Sequence, residues 1–506
     1  MTVMIATFME VLDTSVANVA LPHIAGNLSA TVEETTWVLT SYLVANAVVL
    51  PLGGYFSSLI GRKRFYIICV SLFTAASLLC GIAPSLGWLI FFRILQGLGG
   101  GGLQPTSQAI LVETFPHEKR GAAMAFYGMG VVLAPIIGPV LGGWITDNFS
   151  WHWIFLINIP VGFLSIALTT SLVHDPASFH RISLKDNKFD YFGIGLITLG
   201  LASLEIVLDE GQRKDWFTSN VIVLFAILAV AALGYAVFHE LRKPRPIVDL
   251  RLMKDRTFAV AALMLFVLGF VLYGSLALLP IFLQTLLGYT AVLSGWVLSP
   301  GGMAVMAMMP LVAVLLKRFD TRLLIAVGFI FCGLGLIQMA GFNLQVDFRT
   351  AMTSRIVQSL GFAFLFVPIN VMAFQHIPPE KTGYATGLMN LLRNIGGSSG
   401  IAIATTMLAR RAQFHQANLI GNLAPGNPAY HGFLERATQL GVLRGGLSAA
   451  DAARMAQGSA YGLVIRQSTM MAFADTFLFM GVICFLLLPL LLLIRKSRAT
   501  GPVMID

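Results

Sequence analysis

The run Leu12-Asp13-Thr14-Ser15-Val16-Ala17-Asn18-Val19-Ala20-Leu21-Pro22 puts a carboxylate inside the first apolar stretch long enough to cross a bilayer. A charge at membrane mid-depth costs roughly 2.5–3.5 kcal/mol on insertion scales, so such a residue is a functional candidate by default. Glu10 lies three residues earlier and shares a helical face with it. Two acids in a low-dielectric setting are suited to exchanging a proton near neutral pH. Glu10 could equally face the cytoplasmic headgroups, and Asp13 could instead stay ionised beside an arginine or backbone donors. Arg93 is such an arginine, too deep in another apolar stretch for easy snorkelling. A fixed cation can hold an acid and release it when the acid takes up a proton. This is the chemistry of proton-linked binding. No nucleophile–base set, metal spacing or phosphate loop appears where water could reach it, so neither an enzyme nor a metal or cofactor is expected.

Further polar and aromatic residues fall at the same depth: Trp37, Tyr42, Asn46, Gln96, Gln104, Gln108, Asn370, Asn390 and Arg393. As a set they are candidates to line a substrate cavity, although any one of them is equally well explained by interhelical hydrogen bonding or packing. Arg393 is the most expensive to bury and is expected to face water or substrate. Gly130, Pro135, Gly138 and Pro139 make one segment kinkable and able to approach a neighbour closely. Gly61 and Arg62 open a basic cluster, Arg62-Lys63-Arg64, which reads either as a gating element or simply as a topology anchor.

The elements that hold these residues are membrane helices. The chain is 57% apolar and 11% charged, with a mean hydropathy of +0.80, which describes an all-α polytopic membrane protein. Apolar runs of about 20 residues suit helices across roughly 30 Å of hydrocarbon. Fourteen spans are expected, at 3–22, 36–57, 65–83, 88–112, 121–145, 153–173, 189–208, 220–240, 257–285, 292–316, 323–343, 350–376, 384–409 and 472–494. The first reads as a retained helix, since it lacks the basic flank and cleavage site of a signal peptide. The four cysteines fall inside spans and suggest packing, with no disulfide framework. Of the 33 Lys and Arg, 21 fall on one side of this topology, 9 on the other and 3 within spans, which places both termini in the cytoplasm. The net charge of +9 is therefore a topology signal, and nucleic acid is not an expected partner.

An internal repeat organises the spans. Arg93-Ile-Leu-Gln96-Gly-Leu-Gly99 recurs as Arg355-Ile-Val-Gln358-Ser-Leu-Gly361, and Glu118-Lys119-Arg-Gly121 as Glu380-Lys381-Thr-Gly383, both at an offset of 262. Trp37-Val-Leu39 matches Trp296-Val-Leu298 at 259. This pairs residues 1–173 with 257–506 as two six-helix bundles, leaves two inserted helices and cytoplasmic linkers at 174–256, and gives the second bundle a long outer loop at 410–471. Parallel repeats about an axis normal to the membrane are a transporter architecture with a midplane site between halves. Matching Val11-Leu12 to Val271-Leu272 sets Tyr273 opposite Asp13, so the acid occurs in one half only and Tyr273 becomes a cavity candidate.

Together these motifs resemble the major facilitator superfamily, and within it the fourteen-span drug:proton antiporters of the EmrB/QacA kind. Leu12 to Pro22 is similar to that subfamily's first-helix signature, Gly54 to Arg64 to the loop 2–3 motif, Arg93 to Gly97 to the fourth-helix motif, Gly130 to Gly143 to the antiporter motif, and Leu208-Asp209-Glu-Gly211 with Asp215-Trp216-Phe217 to the loop between the extra helices. One departure is Ser58, where the loop 2–3 motif usually has an acid. The resemblance implies a bacterial inner-membrane exporter driven by a proton gradient, with Asp13 as protonation site and Arg93 assisting. It implies small lipophilic, cationic or weakly acidic substrates. It also implies a periplasmic adaptor, or membrane fusion protein, and an outer-membrane channel as partners. A carrier dedicated to one metabolite would share every motif. A non-transporting sensor or scaffold would need neither the midplane acid nor the Gly/Pro-rich fifth span.

Overall fold

The computed structural model describes residues 2–173, 190–244, 246–424 and 426–494; the basic stretches at 181–188 and 495–498 lie outside them. The described residues form helices α1 (Thr2–Asn27), α2 (Val32–Thr35), α3 (Trp37–Ile60), α4 (Arg62–Cys80), α5 (Leu86–Gly100), α6 (Leu103–Thr114), α7 (His117–Asn148), α8 (Trp153–Leu156) and α9 (Asn158–Leu172) in the first half. The inserted pair is α10 (Tyr191–Glu210) and α11 (Asn220–Arg242). The second half holds α12 (Arg256–Thr285), α13 (Ala291–Leu315), α14 (Thr321–Ala340), α15 (Phe348–Ala373), α16 (Thr382–Leu419), α17 (Pro428–Gly445) and α18 (Ala449–Leu486). Among the described residues there is no strand.

Twelve of these helices or helix pairs are long and apolar enough to cross a membrane, and a thirteenth is Lys119–Pro135 with Ile137–Asn148, bent by 43°. The one remaining expected span, 384–409, falls on α16, which is long but less apolar because Thr386, Asn390, Arg393 and Ser398 lie along it. Two expected spans are interrupted at useful places. Gly101 and Gly102 part α5 from α6, and Ile157 parts α8 from α9, which sets Asn158 at the start of a new helix.

Each half packs on itself: α1 on α7 and α9, α5 on α3 and α4, then α12 on α16, α15 on α13 and α14, and α18 on α14 and α16. The halves meet where α3 and α6 pack on α16 and where α7 packs on α13 and α15. The inserted α10 leans on α11 but also touches both α3 and α16. Its place beside the seam makes it more than a spacer.

The segment 410–471, expected as an outer loop, is a helical hairpin. Helix α16 runs on to Leu419, α17 follows, and α18 begins at Ala449, well ahead of its apolar part. Local caps account for this. Asn427 accepts from the Ala429 N–H at 2.9 Å, and Ser448 accepts from the Asp451 N–H at 3.1 Å. Gly446 takes φ +61 to close α17. These caps supply partners for the free N–H and C=O groups that helix ends leave.

Candidate functional site

Asp13 and Arg93 form a buried ion pair. Arg93 Nη1 lies 2.6 Å from Asp13 Oδ2, and both side chains are 0% exposed. The acid's other oxygen accepts from Asn158 Nδ2 at 2.6 Å and from Gln96 Nε2 at 3.0 Å. Arg93 also donates through Nε to the Val38 carbonyl at 2.9 Å and through Nη1 to Gln96 Oε1 at 2.7 Å. Its guanidinium lies 4.2 Å from the centre of the Tyr42 ring, a cation–π contact. Side chains of α5 and α9 thus converge on one carboxylate of α1, and Arg93 ties the cluster to α3. Gln96, a cavity candidate, belongs to this inner network. Asn158 and Ser77, which ties Gln96 and Asn158 together, were not anticipated. Amides and hydroxyls are common in membrane helices, so nothing in the sequence singled these two out.

Glu10 stands beside this pair with different company. Its oxygens accept from Tyr42 at 3.2 Å, Asn46 at 3.0 Å and Gln104 at 2.6 Å, and all three partners are neutral. Buried at 3% exposure, it points inward and not to the headgroups. Gln104 in turn accepts from Arg393 of α16. Arg393 is buried, and it reaches across the seam to the first half. Gln108 repeats the pattern one turn on, donating to Asn370 of α15 and accepting from Asn390 Nδ2 at 2.6 Å. Tyr42, Asn46, Gln104 and Arg393 therefore join Glu10 to the second half, and Gln108, Asn370 and Asn390 make a second polar link across the seam one turn along. Trp37 sits apart, on the outer turn of α3. Tyr273 sits half-buried on α12 against the glycine face of α16.

The repeat needs one correction. Arg355 Nη1 donates to Ser275 at 3.2 Å and to Gln358 at 2.6 Å. Asp13 and Ser275 are 262 residues apart, as are Arg93 and Arg355, so Ser275, not Tyr273, is the mate of Asp13. Apolar Val-Leu pairs slide along a helix without penalty, whereas the arginine fixes the register. The asymmetry survives the correction. Arg355 is fully buried, and its Nε and Nη2 have no partner among the described residues.

The remaining motifs are mechanical. Gly61 links α3 to α4 with φ +94, in the region that favours glycine. Arg62 pairs with Glu113 at the inner end of α6, so the carboxylate missing at Ser58 is supplied from another helix. In α7, Pro139 cannot donate to the carbonyl of Pro135, and Ser15 Oγ of α1 donates to it instead at 3.1 Å. Any Cβ at Gly138 would collide with the Ser15 side chain. Gly130 faces Phe8 with more room. The kinkable segment is thus pressed against the helix that carries both acids.

A fold of two helical bundles around a polar midplane seam, with one buried acid–arginine pair, defines a secondary transporter. Residues 3–401 match the Major Facilitator Superfamily. The chain belongs to that superfamily. It is 36% identical to the multidrug export protein EmrB of Haemophilus influenzae over 87% of this chain and 85% of that one. It is 39% identical to the fatty acid resistance protein FarB of Neisseria gonorrhoeae, over 87% and 86% of the two. Among solved structures it is similar to the proton:xylose symporter XylE, with a TM-score of 0.57 at 12% identity, covering 98% of this chain and 95% of that one. It is a multi-pass membrane protein.

Proposed function

We propose that this protein is a proton-coupled multidrug exporter of the bacterial inner membrane, with fourteen spans and both termini in the cytoplasm. The observation that carries this reading is the Asp13–Arg93 pair, present in one half and replaced by Ser275–Arg355 in the other. In alternating access, proton uptake from the outer side neutralises Asp13 and loosens its hold on Arg93. Glu10, three residues away and joined through Gln104 to Arg393, couples that change to the seam. Release inside restores the pair. Each proton crossing gains roughly 2.3 kcal/mol per 100 mV of membrane potential. Substrates are small, lipophilic, and cationic or weakly acidic. The EmrB and FarB similarities support this range, and the outer hairpin α17–α18 is the surface for a periplasmic adaptor leading to an outer-membrane channel. A second reading, a carrier dedicated to one amphipathic acid, draws on Arg393 as a cation in the seam and on the FarB similarity. Proteoliposomes under a pH gradient, tested with tetraphenylphosphonium and a medium-chain fatty acid, separate the two. Substrate-dependent proton flux that Asp13→Asn abolishes supports the coupling. Undiminished gradient-driven transport by Asp13→Asn rejects it.

A further inference from the structure

The inserted pair carries a buried acid that the Asp13–Arg93 mechanism leaves unused. Glu205 of α10 is 1% exposed, at membrane depth, and accepts from Ser398 of α16. One turn toward the outer end, half-buried Asp209 accepts from Thr40 of α3. The same helix therefore touches both halves through carboxylates, one for each side of the seam. Its outer connection extends the grip on α16: Trp216 Nε1 donates to Thr406 at 3.0 Å, and Arg410 pairs with Asp215 at 3.1 Å. Ser398, Thr406 and Arg410 are spaced by eight and four residues, which puts them on one helical face. The inserted pair is thus tied to α16 by these side chains, while α10 also packs along α3 of the first half, where Asp209 accepts from Thr40.

The charged and titratable surroundings of Glu205 are sparse. On α10 they are Asp209, Glu210 and, at the inner end, Tyr191. Helix α3 carries only Tyr42 and Tyr55, and α11 carries Tyr235, His239, Glu240 and Arg242 in its inner turns. On α16, Tyr384 lies at the inner end, Arg393 is bound to Gln104, Arg410 and Arg411 pair with Asp215 and Asp475, and His415 is farther out. Among the described residues Glu205 thus meets a hydroxyl and no cation. In such a setting a carboxyl gains or loses a proton in place of a counter-ion.

We infer that Glu205 is a further coupling residue, a carboxyl that exchanges a proton at the α10–α16 contact and so ties the inserted helices to the transport cycle. The inference rests on the proposed exporter function. Glu205→Gln keeps the shape and the bond to Ser398 but cannot carry a proton; Glu205→Ala loses both. In proteoliposomes carrying whichever of tetraphenylphosphonium or a medium-chain fatty acid the wild type moves, Glu205→Gln is expected to slow pH-gradient-driven transport at least tenfold. Substrate exchange without a gradient should stay within about twofold of wild type. Gradient-driven transport within twofold of wild type overturns the inference. So does loss of both activities in Glu205→Gln, which marks a structural position. Absence of gradient-driven transport by the wild type itself rejects the exporter reading, and this inference with it.

Discussion

Arg93 and Arg355 occupy the same place in the two halves but differ in energetic setting. Arg93 is matched by a carboxylate, whereas Arg355 relies on a hydroxyl and an amide. Removing one partner of a buried pair strands the other charge and costs about 3–5 kcal/mol, while an unmatched buried cation carries a desolvation cost that its removal relieves. Arg93→Met is therefore expected to lower the melting temperature of the detergent-purified protein markedly, and Arg355→Met to leave it unchanged or raise it. Equal losses for both would reject the unequal pairing. The Asp13–Arg93 contact was legible in the sequence because a charge at membrane depth needs a partner and few were available. Asn158 and Ser398 were not, since a neutral polar side chain in an apolar helix constrains nothing by itself. The Asp13–Ser275 match lies in the sequence as the same offset of 262 that relates the arginines, but the apolar Val11-Leu12 and Val271-Leu272 pairs carry no register and obscure it.

At the scale of elements, α1 and α7 must move as a unit or slide past each other, and Gly138 decides how closely they meet. With a Cβ at that position colliding with Ser15, even alanine forces the helices apart. Gly138→Ala is expected to reduce transport at least tenfold with normal membrane insertion, and Ser15→Gly in the same chain should recover part of it by making room. Transport by Gly138→Ala at the wild-type rate would contradict the close contact. Gly61 makes a separate demand, because a side chain at φ +94 is strained by about 1–2 kcal/mol. Gly61→Ala should lower thermal stability by that amount, read from melting curves. Pro135, Pro139 and the glycines announced this flexing helix in the sequence. The hairpin was legible only at one point, the Ser448-Ala-Ala-Asp451 cap that starts α18: the segment carries no long apolar run, and α17 depends on a single cap at Asn427.

Across the whole molecule, the two halves are joined by polar links at mid-depth and by direct backbone approach at the inner end. A Cβ at Gly54 of α3 would lie 2.6 Å from the carbonyl oxygen of Gly383 in α16, so nothing separates the helices there. Alternating access requires this contact to open when the seam exposes its polar residues to the cytoplasm, and the Gln104–Arg393 and Gln108–Asn390 links must part with it. A Cβ at Gly383 would lie 3.5 Å from Ser57 Oγ of α3, so cysteines in place of Ser57 and Gly383 should cross-link under mild oxidant and hold this end shut. The native background is quiet, because Cys69, Cys80, Cys332 and Cys484 are all buried. Oxidised Ser57→Cys/Gly383→Cys protein is expected to lose transport nearly completely and to regain it on reduction, with each single variant unaffected by oxidant. Sustained transport by the cross-linked protein would mean that the halves exchange access without parting at α3 and α16. The polar link through Arg393 could then not be the path by which Glu10 responds to the second half.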